Sequence, residues 1–277
     1  MPEGDSIFRA ARALHQALAG SSVTRFESMI PALNRVNEDH PIAGRQVRGV
    51  AARGKHILME FSGDLVLHTH MRMNGSWHLY KPGERWRRPR RDMRVVVETE
   101  TRVAVGFNIP VAEFLTERDL SRHRALQALG PDLLDSGFDP VEVHRRMALR
   151  SGDTVANILL DQRVMAGVGN VFRSEILFLA RVEPFTTVGE LSEPERQRVI
   201  DQARTLLAAN VLPRSQTLGP AVGRRTTRSM DPTANLWVYG RGGRPCRECG
   251  TPIRVRKIGV DARPIYWCPA CQPGATT

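Results

Sequence analysis

Two Cys-x-x-Cys pairs, Cys246/Cys249 and Cys268/Cys271, constrain this chain more tightly than any other feature. Each pair fits one tight turn, and together they offer four thiolates to a single tetrahedral metal ion. Zinc suits such a set, and four sulfur ligands close its coordination shell. The expected cofactor is therefore one structural zinc ion that activates no water. All four cysteines lie beyond residue 245, a grouping that fits a metal cluster better than a disulfide framework in a reducing compartment. Residues 250–257 and 263–267, between the pairs, resemble a two-stranded hairpin made basic by Arg254, Arg256, Lys257 and Arg263. A solvated charged edge that discourages aggregation would read the same way. The charge of the whole chain favours contact with nucleic acid instead.

That charge is large: 40 Lys plus Arg against 29 Asp plus Glu, a formal net of +11 over 277 residues. An excess of this size favours an anionic polymer or surface as partner. A membrane is the weaker choice, because no apolar run approaches the ~20 residues of a spanning helix. The opening Met-Pro-Glu-Gly-Asp-Ser lacks the basic start of a secretory signal. A cytoplasmic, nucleoid-associated protein is expected, a monomer by default.

The periodicity changes along the chain. Ile7, Ala11, Leu14 and Leu18 fall on one face of a helix over residues 6–19, with Asp5 or Ser6 able to cap it and Gly20 to stop it. From about residue 23 to 111 the pattern shortens to strands, among them 57–61, 65–70, 94–98 and 103–107. Short strands with few helical stretches predict a β-sandwich or barrel. Beyond the turn Gly130-Pro131-Asp132, residues 139–149, 154–162, 171–180 and 193–210 read as helices. Residues 214–235 are polar and rich in Arg, Thr, Gly and Pro, and read as a mobile loop.

Three shorter segments carry chemical promise. Ala166-Gly167-Val168-Gly169-Asn170 joins two helical stretches; its glycines allow a tight turn, Asn170 is a good cap, and exposed amides there can bind a phosphate. A dinucleotide fingerprint is excluded, because Phe172 stands where the third glycine belongs. The run from Arg85 to Arg94 holds six arginines around Trp86, either a solvated loop or a phosphate-backbone patch. Pro2, after removal of the initiator methionine, would present a secondary amine beside Glu3, a candidate general acid. An unperturbed α-amine titrates near about 8, so a useful neutral fraction exists at neutral pH.

Met-Pro-Glu-Gly-Asp at the start, the Gly167-Val168-Gly169-Asn170 turn, and Tyr239-Gly240-Arg241 ahead of the four cysteines and Gln272 occur here in a familiar order. Together they resemble the formamidopyrimidine-DNA glycosylase/endonuclease VIII (Fpg/Nei) family across nearly the whole chain. The resemblance implies an α+β multidomain fold: an N-terminal β-sandwich catalytic domain (1–130), a helix-two-turn-helix domain (131–214), and a loop with a C-terminal zinc-finger hairpin (215–277). It implies excision of damaged bases from double-stranded DNA, with bubble or single-stranded substrates left open, followed by strand cleavage at the abasic site. Residue by residue, Pro2 matches the Schiff-base nucleophile and Glu3 the proton donor. Lys55 matches the lysine of β-elimination and phosphate contact, and Asn170, with Gly169, the phosphate-binding turn. Arg263, on the same hairpin as Arg254, matches the arginine tied to δ-elimination. Met73 matches the wedge that fills the gap left by an everted nucleotide, although Met also serves as a core filler.

The Pro-Glu-Gly-Asp start points to the endonuclease VIII-like branch, and so towards oxidised pyrimidines. Met73, by contrast, is the wedge of the guanine-directed branch. Two alternatives stand beside the enzyme: an 8-oxoguanine/formamidopyrimidine-directed glycosylase, and a zinc-containing damaged-DNA binder without catalysis. The presence of Pro2, Glu3 and Lys55 together favours the enzyme, since a pure binder needs none of them.

Overall fold

A computed structural model describes residues 2–211, 224–229, 231–259 and 261–274, and the chain forms two compact units, Met1–Ala128 and Leu129–Thr277. The first unit runs α1 (Gly4–Leu18), β1 (Val23–Ser28), α2 (Pro31–Asp39), β2 (Val47–Arg53), β3 (His56–Phe61), β4 (Leu65–His70) and β5 (Ser76–Tyr80). It continues with β6 (Met93–Thr99), β7 (Val103–Phe107), β8 (Val111–Leu115), α3 (Glu117–Arg122) and α4 (Arg124–Gln127). Two antiparallel sheets, ordered β1-β6-β7-β5 and β2-β3-β4-β8, share one core, so the expected sandwich is present. Val95, Val97 and Ala104 from one sheet meet Ile57, Met59, Phe61 and Leu67 from the other, together with Ile7, Leu14 and Leu18 of α1. Because strand side chains alternate, Val96 and Val105 point the other way, into a smaller cluster covered by Trp86. The arginine-rich run is thus partly a lid, with Arg90 stacked over Trp86 and paired to Glu27 at 2.5 Å. Burial of Ile7, Leu14 and Leu18 contributes about 1.5–3 kcal/mol each relative to exposure.

Helix α1 starts two residues earlier than its apolar spacing predicts. Glu3 sits at the N-cap, and its amide donates to Ser6 Oγ at 2.9 Å in a reciprocal capping box. Ser6 and Asp5 are therefore first-turn residues rather than caps. Gly20 ends the helix as expected, at φ +82°. Helix α2 interrupts a region expected to be all strand; Pro31 at its first turn supplies the pre-set φ.

The second unit contains α5 (Pro140–Ala148), α6 (Val155–Ile158), α7 (Asn170–Ala180), α8 (Glu193–Val211), β9 (Arg254–Ile258) and β10 (Arg263–Trp267). Asp139 caps α5 by accepting from the amides of Val141 and Glu142. The helix expected over 154–162 stops at Ile158. Asp161 then accepts from the amide and guanidinium of Arg163, and Gln162 bonds Gly167 and Val168, so side chains take over the backbone's partners. Helix α7 is buried on nearly every side, as a central helix must be. It packs on α8 and on β10, whose Ile265 and Trp267 join the same core as Phe172 and Leu177. Part of the loop expected over 214–235 lies outside the described residues. Its described part is tied down: Asn210 bonds both the amide and the carbonyl of Arg225 at 2.9 Å, and Thr226 donates to the Asn235 carbonyl at 2.8 Å. Among the described residues no helix is long and apolar enough to cross a membrane.

Candidate functional site

In the first unit, Pro2 immediately precedes the N-cap Glu3, at the positive end of α1. Glu3 is 1% exposed. Lys55 occupies the two-residue turn between β2 and β3, closed by the Arg53–His56 pair. Gly54 adopts φ +59° there, a conformation such tight hairpins demand and glycine supplies without strain. His56 opens β3 and pairs with His70, the last residue of β4. The Lys55 turn and the turn over residues 71–75 therefore adjoin at one end of the sheet. Met73 lies on the second turn and is 56% exposed, whereas Met71 is buried; the core-filler reading of Met73 is corrected. A Cβ on Gly75 would stand 2.5 Å from the Met71 carbonyl oxygen, so the turn closes only around glycine.

The same sheet carries a histidine cluster that the sequence reading missed. His68 Nδ1 lies 2.9 Å from Glu113 Oε1, and His68 Nε2 lies 2.7 Å from His56 Nδ1. Glu113 Oε1 also meets His123 Nε2 at 3.1 Å. Burial, reinforced by neighbouring His70, His68, His123 and Arg53, pushes His56 down to about 3. Burial with Arg72 and Lys55 brings His70 to about 4. Both imidazoles are neutral at neutral pH. The signal available in the sequence was His56, His68 and His70 on paired strands at even spacing, which one face of a sheet collects.

In the second unit, α7 begins behind Gly169. Asn170 is its first residue rather than its cap, and its side chain is nearly buried. Asn170 Nδ2 donates to the Pro264 carbonyl at 3.0 Å, while Oδ1 accepts from Arg173 at 2.6 Å. Arg173 also reaches the Pro264 carbonyl, at 3.2 Å. The turn at 169–170 is thereby joined to β10, where Arg263 is half-exposed beside Asp261 at 2.7 Å. Arg254 is exposed at the start of β9, opposite Trp267. Arg173 and the buried Glu175 were not foreseen; charged residues inside an otherwise apolar helix were the available hint.

The four cysteine sulfurs converge. Cys249 lies 3.4 Å from Cys268 and 3.5 Å from Cys271, and Cys246 lies 3.9 Å from Cys271. Zinc–sulfur bonds of about 2.3 Å set tetrahedral sulfurs roughly 3.8 Å apart, so the set fits one metal ion of that size. Cys246 and Cys268 pack with Phe178, Val238 and Ile253, which fastens the cluster to α7.

Residues 1–110 match the formamidopyrimidine-DNA glycosylase N-terminal domain, and residues 129–219 match the H2TH domain of the same glycosylases. A probable endonuclease 8 2 of Streptomyces coelicolor is 42% identical, covering 99% of this chain and 95% of that protein. The DNA-(apurinic or apyrimidinic site) lyase Nei2 of Mycolicibacterium smegmatis is 38% identical over 98% and 99%, and endonuclease 8 of Escherichia coli 32% over 98% and 100%. In structure, the chain resembles Lactococcus lactis formamidopyrimidine-DNA glycosylase bound to abasic-site DNA. That match has a TM-score of 0.80 at 20% identity and covers 98% of this chain and 100% of the other. The two-sheet unit, the helical unit with its 166–170 turn and the four-cysteine hairpin are one architecture, and the chain belongs to the formamidopyrimidine-DNA glycosylase/endonuclease VIII family. Its likeness in sequence to proteins named endonuclease 8 extends over the full length.

Proposed function

We propose that this protein is a bifunctional DNA glycosylase and abasic-site lyase of base excision repair, acting on oxidised bases with pyrimidines favoured. The observation that carries this reading is Pro2 at the positive end of α1 beside a buried Glu3, in a chain that is 42% identical to a probable endonuclease 8. With Met1 removed, the Pro2 nitrogen bonds to the sugar C1′ as the base departs with the glycosidic electron pair. The attacking nitrogen loses its proton, which neutralises the departing base; Glu3 protonates the ring oxygen, the C1′–O bond breaks with its electrons on oxygen, and an iminium ion forms. That cation accepts electrons as a 2′ proton leaves and the 3′ phosphate is expelled, which is β-elimination, assisted by Lys55. Cleavage ends there or goes on, while the sugar is still held as the iminium, to a second elimination served by Arg263, in which the 5′ phosphate is lost; water then releases the proline.

DNA is gripped by phosphate contacts at Gly169, Asn170 and Arg254, and Met73 enters the gap of the everted nucleotide. An exposed, unbranched apolar side chain on a short turn suits a wedge. Catalysis is assigned to residues 1–130, duplex binding to 131–214, and the zinc finger to 215–277. Cys246, Cys249, Cys268 and Cys271 hold one zinc ion, which when bound rigidifies the hairpin that presents Arg254 and Arg263. The protein acts as a cytoplasmic, nucleoid-associated monomer.

Borohydride trapping on an abasic duplex tests the reading, using protein shown by mass spectrometry to have lost Met1. A covalent adduct is expected from the wild type and none from Pro2→Gly. Equal adducts from both would remove Pro2 from the role. No adduct from either would leave a damaged-DNA binder.

A further inference from the structure

The His56–His68–Glu113–His123 cluster lies on the face of the β2-β3-β4-β8 sheet opposite the core. Registers Leu58–His68–Glu113 and His56–His70–Val111 place these side chains in two adjacent rows, while Ile57, Met59 and Leu67 fill the core side. The donor atoms of His68, Glu113 and His123 lie within 4.8 Å of one another, close enough for a metal ion. One further bond argues against that occupant. His123 Nδ1 accepts from the Leu126 amide at 3.3 Å, so a neutral His123 carries its proton on Nε2, the atom a metal would need.

The proton order then follows along the whole chain of bonds. Glu113, whose partial burial is outweighed by hydrogen bonds from the two imidazoles so that it is held below its ordinary range, only accepts. His123 donates to it from Nε2 and His68 donates from Nδ1. His68 Nε2 is left with a lone pair, so His56 must donate from Nδ1 across their 2.7 Å contact. Each shared hydrogen has one donor and one acceptor, and each donor is assigned without conflict. His56 is thereby fixed next to Lys55. Its ring also stands edge-on to His70 at 4.6 Å, and His70 Nδ1 accepts the Arg72 amide at 3.0 Å, holding the turn that bears Met73.

We propose that Glu113 and His68 are positioning residues that act through His56 to hold the Lys55 turn, and through His70 the Met73 turn, in the geometry used for strand cleavage. This rests on the lyase reading above, because Lys55 has its role only there. Glu113→Leu removes the acceptor that orders the chain. Glu113→Gln keeps a carbonyl oxygen able to take both N–H groups, and so is the conservative rescue.

Single-turnover cleavage of an abasic duplex is measured for wild type, Glu113→Leu, Glu113→Gln, Lys55→Ala and the Glu113→Leu/Lys55→Ala double variant, with borohydride trapping alongside. Glu113→Leu is expected to slow cleavage roughly tenfold while adducts still form at Pro2, with Glu113→Gln near wild type. In the Lys55→Ala background the Glu113→Leu effect should shrink to the part transmitted through His70 to the Met73 turn. Wild-type cleavage by Glu113→Leu, or the same loss in both backgrounds, would overturn the proposal. Failure of the wild type to form any adduct would instead overturn the lyase reading. Nitrogen-15 imidazole shifts of the wild type supply a check that needs no folded variant: His56 and His68 protonated at Nδ1, and His70 and His123 at Nε2. A His68 protonated at Nε2, or on both nitrogens, at neutral pH would refute the assigned order.

Discussion

Replacing Glu175 should loosen the attachment of the cysteine hairpin, and the structure sets the scale. Glu175 is fully buried on α7. Its Oε1 accepts the amides of Val238 and Tyr239 at 2.9 and 2.8 Å; Oε2 accepts the amide of Trp237 at 2.8 Å and the Thr226 hydroxyl. Among the described residues, none of those three amides reaches a backbone carbonyl, so one carboxylate organises the segment leading to Cys246. Glu175→Ala leaves three amide donors unpaired, one on buried Val238 and two on half-buried Trp237 and Tyr239, at about 1–3 kcal/mol each, less what entering water recovers, giving a loss of roughly 3–5 kcal/mol. Glu175→Gln retains one accepting oxygen but turns an N–H₂ towards donors, so about half that loss is expected. Urea unfolding of the zinc-loaded proteins, followed by far-ultraviolet circular dichroism and extrapolated to water, measures both differences. A Glu175→Ala protein within about 0.5 kcal/mol of wild type would refute the reasoning, as would a Gln variant that loses as much as Ala.

Acid should destabilise the first unit before it protonates ordinary carboxylates. His56 and His70 stay neutral in the folded protein, down to about 3 and about 4, but take up protons from 6.5 downward when unfolded. Their contribution is complete above pH 6.5 and declines as pH falls towards those values. The slope is at most about 1.4 kcal/mol per pH unit for each histidine, reduced because both rings are partly solvated; pH-independent stability between 6.5 and 4 would contradict this. Metal analysis should give one zinc per chain, and Cys268→Ser or exhaustive chelation should weaken duplex affinity by disordering the hairpin; unchanged affinity after complete metal loss would count against it. Gly75→Ala should disturb the Met73 turn, because the new methyl meets the Met71 carbonyl at 2.5 Å. The expected result is a loss of about 1–3 kcal/mol in stability together with weaker binding to lesion duplexes, and a variant indistinguishable from wild type in both would show that the turn relaxes freely.

Local pattern alone determines much of this protein. The spacing of the cysteines specified a convergent four-sulfur set able to hold a metal ion, the spacing of Ile7, Ala11, Leu14 and Leu18 a first helix, and the alternation over residues 57–70 and 94–107 paired strands. These signals are legible because each depends on residues close in sequence, where the periods of helix and strand and the span of one turn set the geometry. Only the tertiary structure decided that Asn170 serves as the first residue of α7, bonded across to Pro264, because that carbonyl comes from a hairpin far along the chain. The truncation of α6 is only partly of this kind: Arg163 and Gly167 are local partners of Asp161 and Gln162, and Arg150, from the end of the preceding helical stretch, completes the set. The same is true of the histidine cluster. His56, His68, Glu113 and His123 come from separate stretches of the chain; even spacing hinted that His56, His68 and His70 share a sheet face, but no local pattern linked them to Glu113 and His123. Strand pairing sets His68 opposite Glu113 and His56 in the adjacent row, and partial burial then strips much of the water from the imidazoles, leaving them to satisfy one another.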